Sequence, residues 1–335
     1  MMVIAVDTGN RYIKTAHAEP FSSGLNSHGG MPPIVAADTL LFNGNYYSIS
    51  ETQGYHRQDK TQDDYYFMLS LMAIAREIVM KHAMVATEKS EGELNFSAIM
   101  RSADRSRMSF CEDVFLSVGL PPRDIKAFGE KLKKYYMRDG SRLRFKYNNI
   151  SFDICITDVF VSPQGFAAIF PNDLFSRVAQ SAKAYIIDIG GYTTDVALVA
   201  NKRIDTGYFE SFDFGVIHMY NEISSQVARE CQTKIDGILI EAVLRGESIG
   251  NPTVENMVRT AAHLYAAKIV DALRDHGIDL NLSLPVLVGG GSLRLEAPLR
   301  EAIGREDVFV VPDVRANAIG YEVLANRILK ERNRA

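Results

Sequence analysis

Two short stretches carry residues whose types and spacing suit phosphate chemistry. "VDTGNRYIK" (residues 6–14) ends an apolar run on Asp7, follows it with Thr8, Gly9 and Asn10, and reaches Lys14 four residues on. "YIIDIGGYTTDVALV" (185–199) repeats the theme with Asp188, then Gly190, Gly191, Tyr192, Thr193, Thr194 and Asp195 between two apolar runs. Glycines let backbone N–H groups turn inward into a concave anion nest, which a Cβ would obstruct. Thr and Asn side chains add donors. Aspartates repel phosphate, so Asp7 and Asp188 imply a Mg²⁺ ion between them and the anion, held mostly through its waters. Two facing hairpins of this kind would clasp a triphosphate from both sides. An ordinary hairpin turn remains the alternative for Asp7–Asn10, whereas two threonines and a second aspartate exceed what a turn needs at 188–195.

A third stretch, "LVGGGS" (287–292), ends a strand and opens a helix. Gly289, Gly290, Gly291 and Ser292 would let a flat ring or a phosphate approach the backbone at a helix N-terminus. Gly-rich strand–helix turns are common, so alone this is a weak signal. No G-x-x-x-x-G-K-[ST] run occurs, which excludes a Walker-type P-loop. The G-x-G-x-x-G pattern fails here because Leu293 and Arg294 follow Ser292.

The elements that must position these residues alternate between strands and helices. Residues 3–7 read as a buried strand, with 11–18 as its hairpin partner and 24–33 as loop. Residues 39–49 alternate around an Asn-Gly pair, a strong hairpin signal. Residues 61–83 have helical spacing, with Thr61 as N-cap. Residues 87–110 are polar and take no assignment. A strand at 113–121 precedes the basic helix 123–137, and strands 142–147 and 150–161 lead to a turn opening a helix at about Pro163. The second half reads as hairpin 185–199, strand 204–212, helix 215–230, a small helical insert near 235–250, helix 252–276, strand 284–291, helix 292–303, strand 307–311 and helix 316–331. This is α/β. The strand–Asp–x–Gly hairpin occurs twice, which suggests two similar lobes: a first domain over 1–162, a second over 163–315 with a helical insert around 215–280, and a C-terminal helix, 316–335, returning to the first.

Composition bounds the partners. The chain has 335 residues, a net charge of −4, 47% hydrophobic and 23% charged residues, and a pI near 6.0. That balance disfavours a sequence-independent hold on DNA. Three isolated cysteines, Cys111, Cys155 and Cys231, have no zinc spacing and fit a reducing cytosol. The first ten residues reach a glycine turn too soon for a signal peptide, and no apolar run approaches the ~18 residues of a membrane span. A soluble cytoplasmic protein without membrane contact is expected.

Taken in order, these segments resemble the actin-like ATPase superfamily. Asp7–Asn10 with Lys14 is similar to its first phosphate motif, Asp188–Asp195 to its second and Val288–Ser292 to its adenosine motif. Ser162-Pro163-Gln164-Gly165 resembles the first connecting helix, and "RANAIGYEVLA" (315–325) the second. Chain length, "LLFNGNYYSI", "DKTQDDYYFMLSLMAIARE" (59–77), "SVGLP" and "PQG" look like the ParM/StbA plasmid-segregation branch, and archaeal actin-like proteins share much of the pattern. Residues 84–110 and 235–250 carry none of it.

The resemblance implies two similar actin/ribonuclease-H-like lobes with a nucleotide cleft between them. It implies ATP, with GTP as the alternative, and Mg²⁺ as cofactors. It assigns Asp188 to the Mg²⁺ shell and to orienting the attacking water, Asp7 to the opposite side, and Gln164 to positioning the same water. For Gln164 the bland alternative is a polar residue at a helix start, and for Lys14 a solvated side chain in place of a β-phosphate contact. The expected partners are further copies of the chain in a helical filament and a DNA-bound adaptor, with no direct DNA binding. "KLKKYYMRDGSRLRFK" (131–146), basic with interleaved tyrosines, reads as a solvated face or a contact between filament subunits rather than a nucleic-acid surface. Tyr65-Tyr66-Phe67 reads as core, and His56, His218 and His263 show no ligand spacing. A rival reading is a small-molecule kinase of the same superfamily, although no acceptor-site aspartate follows "SVGLP". A chaperone-type ATPase would need a peptide-binding domain for which the chain leaves no room.

Overall fold

A computed structural model describes the chain except residues 35–37, 51–58, 89–93, 103–106, 172–173 and 335, so His56 lies outside the described residues. The chain divides into two compact units, Met1–Ala167 with Asn317–Ala335, and Ala168–Ala316. Each is built on its own sheet, and the fold is α/β.

Unit 1 grows from β1 (Met2–Thr8). Val3 to Val6 are buried on both faces, as a central strand with a parallel neighbour requires. Strand β1 pairs antiparallel with β2 (Tyr12–Thr15) and parallel with β7 (Ser109–Leu120). Short strands β3 (Phe21–Ser22) and β4 (Gly24–Gly29) follow β2, then the hairpin β5 (Thr39–Phe42) and β6 (Asn45–Ser50), which turns on Asn43 and Gly44, both at positive φ. Strands β8 (Arg142–Tyr147) and β9 (Ile150–Pro163) complete nine strands in the order β3-β2-β1-β7-β9-β8-β5-β6-β4. The segment 24–33, expected as loop, thus contains an edge strand; its polar sequence GLNSHG suits an edge.

Helix α1 (Tyr65–Thr87) is buried without interruption from Tyr66 to Met80. Two charged residues inside that run are satisfied locally. The Arg76 guanidinium meets Asp38 at 3.0 Å and Tyr147 Oη at 2.9 Å, and lies 4.2 Å from the Phe21 ring centroid. Glu77 accepts from the backbone N–H groups of His17 and Ala18 and bonds the His17 ring at 2.8 Å. The helix begins four residues later than its periodicity suggests. Thr61 does not cap it, because its N–H and hydroxyl both donate to Asp59, while Asp64 takes the N-cap position. Helix α2 (Phe96–Ser102) lies in the unassigned polar region, and α3 (Pro122–Met137) follows β7 with its proline at N1.

Strand β9 runs through Pro163, so no helix opens there. A single 3₁₀ turn (Phe166–Ile169) follows, and α4 (Leu174–Gln180) begins eleven residues after Pro163. Unit 2 then forms a five-stranded sheet from β10 (Lys183–Ile189), β11 (Thr194–Ala200), β12 (Arg203–Phe212), β13 (Leu284–Val288) and β14 (Phe309–Val310), ordered β12-β11-β10-β13-β14. Helices α5 (Val216–Cys231), α6 (Gly237–Leu244) and α7 (Pro252–Asp275) fill the stretch between β12 and β13. Strand β13 ends at Val288, three residues earlier than expected. The glycines begin α8 (Gly289–Arg294), which Leu295 separates from α9 (Glu296–Ile303).

The last helix, α10 (Ala316–Arg332), packs its body into unit 1. Contact is backbone-close: a Cβ on Gly320 would lie 1.9 Å from the Ala167 carbonyl oxygen, and one on Gly119 1.9 Å from Tyr321 Oη. Among the described residues no helix is long and apolar enough to cross a membrane.

Candidate nucleotide-phosphate site

The two Asp hairpins occupy matching places in their sheets. Each aspartate sits near the end of a strand with an antiparallel hairpin partner on one side and a parallel strand on the other. In both hairpins it is registered opposite the residue seven positions later, Lys14 for Asp7 and Asp195 for Asp188. Ligands of open α/β sheets gather at the carboxyl ends of parallel strands, where both aspartates lie.

In unit 1, Asp7 is 3% exposed, and Lys14 Nζ lies 3.3 Å from its Oδ2. A buried carboxylate needs such a partner, so Lys14 serves Asp7 and does not simply face solvent. Thr8, Gly9 and Asn10 form the bend. Gly9 is obligatory, since a Cβ there would come within 2.7 Å of the Tyr12 carbonyl oxygen. Asn10 Oδ1 accepts from Tyr66 Oη at 3.0 Å, and the Asn10 carbonyl from Ser23 Oγ at 2.6 Å. Gln164 follows the last residue of β9, and its backbone N–H donates to Leu120 O at the end of β7. Because β1, β7 and β9 run parallel side by side, Gln164 shares the C-terminal sheet edge with Asp7. It belongs to a strand end rather than a helix start. Asn317 of α10 accepts the next N–H, that of Gly165, at 2.8 Å.

In unit 2 the hairpin is braced by a helix. The first N–H groups of α5, from Val216 and Ile217, donate to the carbonyls of Gly190 and Gly191 at 3.1 and 2.9 Å. Approach is close enough that a Cβ on Gly215 would lie 2.3 Å from Gly191 O. In a planar trans peptide the N–H points opposite to the C=O, so the N–H groups of Gly191 and Tyr192 point away from α5. Those two would be the donors of an anion nest. Gly190 contributes less than its type suggested, because its own N–H closes the hairpin onto Thr193 O at 2.8 Å.

The hydroxyls divide likewise. Thr193 Oγ1 donates to Asp195 Oδ2 at 3.0 Å, whereas fully buried Thr194 bonds the Phe214 carbonyl. Ser292, also fully buried, donates to Val288 O one helical turn back. Tyr192 meets His218 edge-on at 5.8 Å. The glycine run lies beside Asp188, which is registered with Val288: a Cβ on Gly289 would lie 2.3 Å from Asp188 Oδ1, while one on Gly290 would meet nothing within 4 Å. Open space thus lies beside Gly290 and not beside Gly289.

Among the described residues no cluster of three His, Cys, Asp or Glu side chains could hold a metal by itself. A hydrated Mg²⁺ needs no such cluster, since it keeps most of its waters. Asp188 and Asp195 stand directly opposite one another, and like charges so placed favour a nearby cation. The residues present fit the ion.

Sequence reading missed Lys60, whose Nζ donates to the carbonyl of Thr8, lies 3.5 Å from Thr8 Oγ1 and sits 5.2 Å from the Tyr66 ring centroid. Its signal was a lysine just ahead of the acidic start of α1. Five of the seven lysines and arginines in the basic stretch 131–146 meet carboxylates: Lys131 with Asp59, Lys133 with Glu130, Arg138 with Asp64, and Arg142 and Arg144 with Asp153. Its tyrosines turn inward. Tyr136 is buried, which pushes its phenol up to about 12.

Residues 186–301, about a third of the chain, match the family model described as the C-terminal part of the archaeal MreB-like actin homologue. No curated protein matches the chain. Solved structures match over nearly its whole length. An archaeal actin homologue, Ta0583, in complex with ADP is 18% identical with a TM-score of 0.68, covering 98% of this chain and 100% of that one. A subunit of a 15-stranded ParM filament from Clostridium botulinum is 18% identical with a TM-score of 0.66, covering 97% and 99%. The apo ParM protein of psk41 is 15% identical with a TM-score of 0.66, covering 98% of each chain. The chain therefore has the actin-like fold, with two sheets of unequal size each presenting an Asp-led hairpin.

Proposed function

We propose that this protein is an ATP-dependent, filament-forming actin-like protein that segregates or positions plasmid DNA through a DNA-bound adaptor, with slow hydrolysis driving filament turnover in the cytoplasm. The observation that carries the reading is the pair of Asp hairpins, one per unit, with the same register and the same parallel neighbour. On this reading each hairpin binds phosphates of a nucleoside triphosphate. Gly9 and Asn10 in one hairpin and Gly191 and Tyr192 in the other supply donors to the phosphates, Lys14 a compensating charge, and Gly290 the approach for the adenosine. Asp7 and Asp188 would hold a Mg²⁺ ion, whose chemistry there would be to neutralise phosphate charge. Asp188 also orients the attacking water, which Gln164 positions from the end of β9; an amide orients water but is a poor base. Such a site gains rate by positioning and charge stabilisation, so turnover is slow. Likeness to proteins solved as filaments supports self-assembly.

The test combines phosphate release with pelleting on addition of ATP and Mg²⁺. Slow phosphate release together with ATP-dependent pelleting is expected. ATP consumption tied to phosphorylation of a sugar or small acid, without pelleting, would replace this reading with a small-molecule kinase.

A further inference from the structure

In unit 2 the carbonyls of the phosphate hairpin are fixed by the N-terminal amides of α5. In unit 1 a hairpin carbonyl is fixed by a side chain. Lys60 Nζ donates to Thr8 O, with Thr8 Oγ1 at 3.5 Å and the Tyr66 ring 5.2 Å from the ammonium. Thr8 O and the Gly9 N–H belong to one planar peptide and point in opposite directions. Whatever holds the oxygen therefore aims the N–H.

We propose that Lys60 is a positioning residue for phosphate binding: by gripping the Thr8 carbonyl it turns the Gly9 N–H toward the anion. This rests on the reading of the hairpin as a phosphate site. Three features converge on that role. A cation hydrogen-bonded to a carbonyl polarises the peptide and strengthens its N–H as a donor. Gly9 cannot carry a side chain, so its peptide lacks the rotational restraint that a Cβ supplies, and an external hold substitutes for it. The ammonium is itself placed, since Tyr66 lies under it and donates its hydroxyl to Asn10 two residues further on. Lys60 and Tyr66 thus fix the Thr8 and Asn10 ends of the bend around Gly9.

The experiment compares wild type with Lys60→Met and Lys60→Arg, using ATP-Mg²⁺ as the probe in equilibrium binding and the Gly9 amide resonance of nucleotide-free protein as a second readout. Lys60→Met should weaken ATP binding about tenfold and shift the Gly9 amide signal. Lys60→Arg, which keeps a charged donor, should stay within about threefold of wild type. Thermal unfolding close to wild type is the condition for reading the variant, and Lys60→Ala replaces it if methionine is not accommodated. If wild type binds ATP and the methionine variant binds equally well with an unmoved Gly9 amide, the role of Lys60 is wrong while the phosphate site stands. If wild type binds no nucleotide, both fall.

Discussion

Asp188 separates two jobs that the hairpin performs together. On the proposed function, anion binding there uses the Gly191 and Tyr192 amides, whose direction α5 fixes without help from the carboxylate. Asp188→Ala should therefore still bind ATP, somewhat more weakly, and lose ~10²-fold or more in turnover. If filaments need ATP binding and use hydrolysis only to come apart, the variant's filaments should outlast those of wild type. Phosphate release and scattering followed over time check this; wild-type hydrolysis in the variant would reduce Asp188 to a turn residue. Gln164 makes a sharper case. Its backbone is pinned to Leu120, so Gln164→Ala should lower kcat about tenfold or more with little change in KM, and a matched rise in KM would place the side chain in binding instead.

At the scale of elements, the C-terminal helix is the clearest liability. Glu322 of α10 pairs with Lys81 and lies 3.6 Å from His17, which also bonds buried Glu77. Burial alone would lower the His17 imidazole, but Glu77 and Glu322 outweigh both burial and Lys81, raising it above its ordinary 6.5. A raised value stabilises the fold below the unfolded value and loses that contribution as pH climbs through the folded one. Stability should thus fall as pH rises above 6.5 and through the raised folded value, and His17→Gln should flatten that slope in thermal melts; an equal slope in the variant would contradict it. Independently, Gly320→Val should cost about 1–3 kcal/mol or more, because its side chain meets backbone at Ala167 that cannot yield. Urea unfolding measures it.

The elements were largely legible because apolar runs and helical spacing reflect burial directly. What escaped was set by partners distant in sequence. Thr61 resembles an N-cap until Asp59 captures it, and GLNSHG resembles loop because an edge strand has little apolar alternation to show. At the site, residue types pointed to phosphate chemistry, yet the duties of individual groups did not follow from type. The hydroxyls of Thr194 and Ser292 and the N–H of Gly190 are engaged with backbone, and spacing could not distinguish them from Thr193 or Gly191. Lys60 was invisible for the same reason, since its role depends on a carbonyl 52 residues away.

For the whole molecule, the proposed function makes assembly the response to nucleotide and keeps DNA at one remove. Five of the seven lysines and arginines across 131–146 already face carboxylates, and the chain carries a net charge of −4, so a gel shift on random duplex at moderate salt should show little binding. Tight binding with a steep salt dependence would overturn that. The central claim is that a bound triphosphate favours a state which self-associates. Right-angle light scattering on adding ATP-Mg²⁺ to the purified protein tests it most directly. Scattering should rise with ATP and not with Mg²⁺ alone, then decline slowly as phosphate is released. A protein that binds ATP yet stays monomeric at high concentration would contradict it.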